Sequence, residues 1–188
     1  MPRNRVYQIE QWQNIMTKIT FSSDEELNLE YFYEIGVSHA KRGNPRDAIF
    51  YFDKVLSVEP MHMNALVYKG NALGKLGKYN DSITCYDRVL KNSPNHQIAL
   101  INKGLALHYL KKYDQAISFY DKILEKDPQN ASVLYHKSCS KALQKNSEEA
   151  LTILEQAIMI DSEYGIKAAG DLDFESLRSD QRFKALTS

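Results

Sequence analysis

Residues 44–56 read Asn44-Pro-Arg-Asp-Ala-Ile-Phe-Tyr-Phe-Asp-Lys-Val-Leu56, residues 78–90 read Lys78-Tyr-Asn-Asp-Ser-Ile-Thr-Cys-Tyr-Asp-Arg-Val-Leu90, and residues 112–124 read Lys112-Tyr-Asp-Gln-Ala-Ile-Ser-Phe-Tyr-Asp-Lys-Ile-Leu124. The three stretches are one text written at a spacing of 34 residues. Gly36, Gly70 and Gly104 keep the same spacing, as do Pro60, Pro94 and Pro128, and a weaker fourth copy runs from Asn146 to Ile158. Punctuation locked to one period marks an array of a repeated unit rather than a single irregular core.

Each copy reads as two helices. In the second copy the first helix is predicted from Asn64 to about Leu76, with Gly77 ending it in the left-handed conformation that glycine adopts at little cost, and the second ends before Pro94. Gly36, Gly70, Gly104 and Ser138 on the first helices face the small residues Ala48, Ser82, Ala116 and Ala150 on the second, so the paired backbones approach closely. Phe52, Tyr86, Tyr120 and Leu154, with Phe32, Leu66, Leu100 and Leu134, then supply bulk. One such pair cannot bury its apolar face alone, so neighbouring pairs must stack.

These residues resemble the tetratricopeptide repeat, a 34-residue helix-turn-helix unit with small residues at its eighth and twentieth places, an aromatic at the twenty-fourth and proline at the thirty-second. The resemblance covers about residues 28–161 as four repeats, with Ser138, Ser82 and Ser162 departing from the pattern. It implies an all-α, right-handed superhelical solenoid of stacked antiparallel helix pairs. On this reading residues 1–27 are an N-terminal extension helix and residues 162–188 a C-terminal capping segment.

Composition sets further bounds. Lys plus Arg and Asp plus Glu are each 24, so no net field favours nucleic acid or an anionic membrane, and no nucleic-acid or membrane partner is expected. No apolar run approaches a membrane span, and the start of the chain lacks a signal-peptide core, so a cytoplasmic protein is expected. The two cysteines, Cys85 and Cys139, form no CxxC and read as free thiols.

The ends carry their own patterns. Val6, Ile9, Trp12, Met16 and Ile19 fall on one face of a helix over roughly residues 5–20, which either covers the open edge of the array, enters the groove or dimerises. Phe174, Leu177, Phe183 and Leu186 are the expected anchors of the C-terminal cap.

Stacked pairs place the first helices on the concave side. The resulting groove strip reads Tyr33, Val37, Val67, Tyr68, Asn71, Lys75, Ile98, Ile101, Asn102, Leu105, His108, Tyr109, Tyr135, His136 and Cys139, unusually apolar and aromatic for a surface. Such a strip suits a segment of another protein, with Asn71 and Asn102 able to donate and accept to an extended backbone. Burial of the strip by the N-terminal helix, by another copy or by curvature is the structural alternative. A self-assembling module, with homo-oligomerisation through the strip or the N-terminal helix, is the functional one. Relatives that clamp a C-terminal carboxylate use lysines and an arginine where this chain has Val67, Ser132 and His136, so a carboxylate clamp is not expected.

Lys69, Lys103 and Lys137 recur in phase with Asp53, Asp87 and Asp121 of the preceding repeat, and Ile35 takes the lysine place in repeat one, where no earlier aspartate exists. A ladder of inter-repeat ion pairs is expected, with a basic stripe for an acidic ligand as the alternative. No HExxH, P-loop, GxGxxG or GxSxG is present. His108 and His136 fall near each other on adjacent repeats without a carboxylate beside them, a poor metal site. Neither catalysis, a cofactor nor a bound metal is expected.

Overall fold

The computed structural model describes residues 28–188. The reading of residues 5–20 as an amphipathic helix, and of a capping box at Ser23, lies outside the described residues. Residues 28–41 form α1. It is followed by α2 (Pro45–Val58), α3 (Met63–Lys75), α4 (Tyr79–Asn92), α5 (Gln97–Tyr109), α6 (Tyr113–Leu124), α7 (Ala131–Leu143) and α8 (Ser147–Ile160). These are four consecutive antiparallel pairs, all-helical among the described residues, in the register the 34-residue period predicts. After them come α9 (Glu163–Gly170), a 3-10 turn (Leu172–Leu177) and α10 (Gln181–Leu186).

The turn inside each pair is a repeated device. Gly43, Gly77, Lys111 and Lys145 all have positive φ, at 78°, 72°, 60° and 63°. The amide after each donates back to the helix: Lys78 to the Leu73 carbonyl at 3.0 Å, Lys112 to Leu107 at 2.9 Å, Asn146 to Lys141 at 3.1 Å. Such bonds satisfy carbonyls that the helix end would otherwise leave unpaired. Repeats three and four hold the same geometry without glycine. Between pairs, His62 and His96 accept from the amides of Ala65 and Ala99 through Nδ1, and Asn130 accepts from Val133 through its side-chain oxygen, so each following helix is capped at one register position.

Contacts divide the chain into two units, one ending at Ala72 and one starting at Leu73 within α3. In the first, Ala48, Phe52 and Val55 are wholly buried, and a Cβ on Gly36 would lie 2.7 Å from Phe52 Cε1. In the second, Leu100, Leu107, Ala116, Tyr120, Ile123 and Val133 form one core cluster, and a Cβ on Gly104 would lie 2.5 Å from Tyr120 Cε1. The glycine therefore sets how closely paired helices approach. A second cluster joins α7 and α8 to the cap through Leu151, Leu154, Phe174, Leu177 and Phe183. Leu186 packs on it half-buried, so all four expected anchors of the cap bury apolar surface.

The ladder forms as the period predicts. Lys69 Nζ lies 2.5 Å from Asp53, Lys103 Nζ 2.5 Å from Asp87 and Lys137 Nζ 2.7 Å from Asp121. Each lysine is mostly covered while each aspartate is about half exposed, so solvent screens the pairs and each contributes about 0–1 kcal/mol.

Candidate functional site

The first unit carries Tyr33, Val37, Val67, Tyr68 and Asn71 of the expected strip. Tyr33 and Tyr68 pack edge to face at 6.2 Å between ring centroids, and both lie against Phe52, at 6.3 and 5.7 Å. Burial, then the neighbouring Tyr68, Glu30 and Glu34, push the Tyr33 phenol upward, so it stays a neutral donor. Val37 and Asn71 are half-buried. Val67, expected on the groove surface, is buried instead: Ala65, Leu66 and Val67 are buried in succession, because α3 buries a face wider than the groove register allows.

In the second unit the strip begins at Lys75, which is exposed, and runs along α5. Ile98 is 54% and Tyr109 60% exposed, with Ile101, Asn102 and Leu105 half-buried between them. Tyr109 is not a loose side chain. Its ring stacks on Tyr79 of α4 at 5.0 Å with an interplanar angle of 13°, and meets His108 edge-on at 5.5 Å. A preorganised aromatic loses little conformational entropy on binding.

Along α7, and at His108 near the end of α5, the strip is closed. His108, Tyr135 and Cys139 are 7%, 1% and 2% exposed, which corrects their assignment to an open groove. The cause is the chain's own C-terminal segment, whose 3-10 turn packs against the inner face of α7. The Tyr135 hydroxyl donates to Asp171 at 2.6 Å, and Phe174 packs on the Tyr135 ring at 5.9 Å. Lys167 Nζ sits 4.4 Å from the same ring's centroid. Asp173 lies 3.0 Å from His108 Nε2. Ser140 Oγ donates to the His136 carbonyl and stands 2.8 Å from His108 Nδ1, so the imidazole is held from both sides. His136 remains half-buried beside it.

Sequence reasoning missed Asp171, Asp173 and Lys167 as neighbours of the strip. The contacts span 32 residues or more, from a segment outside the repeat, and no in-phase partner signalled them. The same contacts alter one expectation, because the carboxylate absent beside His108 in the repeat arrives from the cap. Cys139, Asp171 and Asp173 carry ligand-type atoms within 4.8 Å of one another. Those groups are already engaged. Asp171 accepts from Tyr135 and from the Asp173 amide at 3.0 Å, and Asp173 faces His108. Burial, then the two carboxylates, push the Cys139 thiol up, which keeps it protonated and a poor nucleophile. Burial, then Lys167 and the neighbouring His108, hold His136 down at about 4, although Asp171 and Asp173 pull the other way.

Antiparallel helix pairs repeated at a fixed period, with a partly open inner face and residues engaged in structural bonds, define a helical-repeat interaction scaffold. The tetratricopeptide-repeat family matches residues 69–131 in one description and residues 29–62 and 131–164 in another, together more than half of the chain. The chain belongs to that family. Among solved structures it is similar to a double mutant of MamA RS-1, at 25% identity over 85% of this chain and 88% of that one with a TM-score of 0.70. MamA 41-end from Desulfovibrio magneticus RS-1 gives 23% identity over 85% and 93%, also at 0.70. TTC0263, a thermophilic TPR protein of Thermus thermophilus, gives 18% over 84% and 87%, again at 0.70. The last two likenesses speak to fold alone. No curated protein matches the chain.

Proposed function

We propose that the protein is a non-enzymatic scaffold that takes a segment of a partner protein along the open inner face of α5. The observation that carries this reading is the strip of Ile98, Ile101, Leu105 and Tyr109, whose two ends stay exposed while the adjoining face of α7 is closed by the chain's own cap. An apolar strip bounded by polar groups is the usual form of a helical-repeat binding surface. His108 is held by Ser140 and Asp173 and the Cys139 thiol is kept protonated by burial, roles that suit a binding surface. Cys85 and Cys139 are buried and held in no disulfide, which suits a reducing compartment and is in keeping with a cytoplasmic setting. Among the described residues no helix is long and apolar enough to cross a membrane.

Partner capture compared across matched variants tests the proposal. Tyr109→Ala should weaken capture by about 1–3 kcal/mol if the ring is an anchor, while Ser118→Ala on the exposed face of α6 should leave it unchanged. Equal capture by a folded Asn102→Ala, Tyr109→Ala double variant would place binding elsewhere.

Self-assembly has its own support. Met159, Ile166 and Leu172 are 81%, 79% and 75% exposed near the C-terminal end. Light scattering of the unchanged chain and of an Ile166→Lys, Leu172→Lys variant tests it, a mass falling to the monomer in the variant being the supporting result.

A further inference from the structure

The start of the array carries a face that the later repeats keep covered. The register equivalents of Tyr31 are Ala65, Ala99 and Val133, all fully buried, whereas Tyr31 is 60% exposed. Phe32 is half-buried where Leu66, Leu100 and Leu134 are buried, and Ser38 is half-buried where Ala72, Ala106 and Ser140 are buried. In repeat three, Lys103 meets the second helix of the preceding pair, as the Lys103–Asp87 bond shows. In repeat one no described residue precedes the face.

The chemistry of that face also changes in a particular direction. A large aromatic, Tyr31, replaces two alanines and a valine, and Ile35 replaces three lysines whose aspartate partners sit on a preceding helix. Tyr31 is continued by an aromatic group in which Phe32 lies 5.9 Å from it, Tyr51 lies 6.3 Å from Phe32, and His39 stacks on Tyr51 at 5.4 Å. A face built for water would keep the lysine. One built for a repeat-like neighbour would keep a small alanine or valine. This one fits an apolar element that brings no aspartate and leaves more room than a packed repeat does.

We infer that the occupant is the chain's own residues 5–20, laid across this edge through Val6, Ile9, Trp12, Met16 and Ile19. As a helix, that segment would be about 24 Å long, close to the roughly 21 Å of the fourteen-residue α1. Residues 21–27 reach at most about 25 Å, enough to fold back onto the helix they enter and too little to favour distant surfaces. Tethering gives an effective concentration of about millimolar, which favours the chain's own segment over a second copy at ordinary protein concentrations. The inference is independent of partner binding on α5.

Trp12 is the sole tryptophan, so its emission reports the contact directly. In the full chain it should be blue-shifted and shielded from acrylamide, independent of protein concentration. Ile35→Lys, which installs the residue repeats two to four already carry, combined with Tyr31→Lys should shift it to the red and raise quenching several-fold, with Tyr109→Lys leaving it unchanged. Hydrogen exchange gives a second readout that leaves the array intact: Ile9→Ser with Trp12→Ser should deprotect residues 31–38 and not residues 98–109. Release of Trp12 by Tyr109→Lys alone, deprotection at 98–109, concentration-dependent shielding, or a tryptophan already exposed in the unchanged chain would each overturn the inference.

Discussion

Gly104→Ala in the middle of α5 and Gly74→Ala in the last turn of α3 make the same chemical change and should move stability in opposite directions. Alanine is a better helix former than glycine by about 1 kcal/mol, and this favours both variants. At Gly74 a Cβ meets nothing within 4 Å, so a gain of about 0.5–1 kcal/mol is expected. At Gly104 the same atom would stand 2.5 Å from Tyr120 Cε1, 3.0 Å from Cζ and 3.1 Å from Cδ1. That ring has no exposure and sits among Leu100, Leu107, Ala116, Ile123 and Val133, so it cannot swing away. Overpacking of this kind costs about 1–3 kcal/mol and outweighs the propensity gain. Repeat four shows the compensating solution: Ser138 takes the glycine place and the facing residue is Leu154 rather than tyrosine. Gly104→Ala should therefore couple favourably with Tyr120→Leu, by at least about 0.5 kcal/mol in a double-mutant cycle. Urea denaturation followed by circular dichroism measures all four forms. A Gly104→Ala protein at least as stable as the unchanged chain, or strict additivity with Tyr120→Leu, would refute the argument that the glycine sets the helix approach.

Lys111→Gly should stabilise by about 0.5–1 kcal/mol, seen as a raised Tm, because Lys111 holds φ at 60° in a turn where Gly43 and Gly77 stand in earlier repeats. His136 has a folded pKa of about 4, below its ordinary value of 6.5, so the unfolded chain takes up the proton first as pH falls. Its contribution is complete above pH about 6.5 and is lost on descending to about 4, up to about 3 kcal/mol. The stability difference between the unchanged protein and His136→Gln, measured against pH, should shrink across that window. Asp87→Ala should cost less than about 1 kcal/mol in denaturant titration, and less again in high salt, because the Lys103 pair is screened at its half-exposed aspartate.

The repeat was legible in the sequence because its causes are local and recur: a glycine where two helices touch, a bulky residue facing it, a turn that demands positive φ. A signal written four times stands above the noise of any single copy. The ladder was legible for the same reason, since Lys103 and Asp87 stand in fixed phase and Ile35 marks the place where the partner is missing. The strip on α5 was assigned from register alone, and register says only which way a side chain starts out. Whether it ends in solvent depends on what else arrives. Tyr135 and Cys139 point to the same side as Ile101 and Leu105, yet are buried because Asp171, Asp173 and Phe174 return from outside the period and find a hydroxyl, an imidazole and an aromatic face to pair with. Those contacts occur once, between residues far apart in the chain, so no periodicity announces them. The sequence by itself determined the helix pairs, their turns and their stacking chemistry; the tertiary structure alone decided which part of the inner face stays open, because burial is a property of the neighbours that a side chain meets and not of its own position in a repeat.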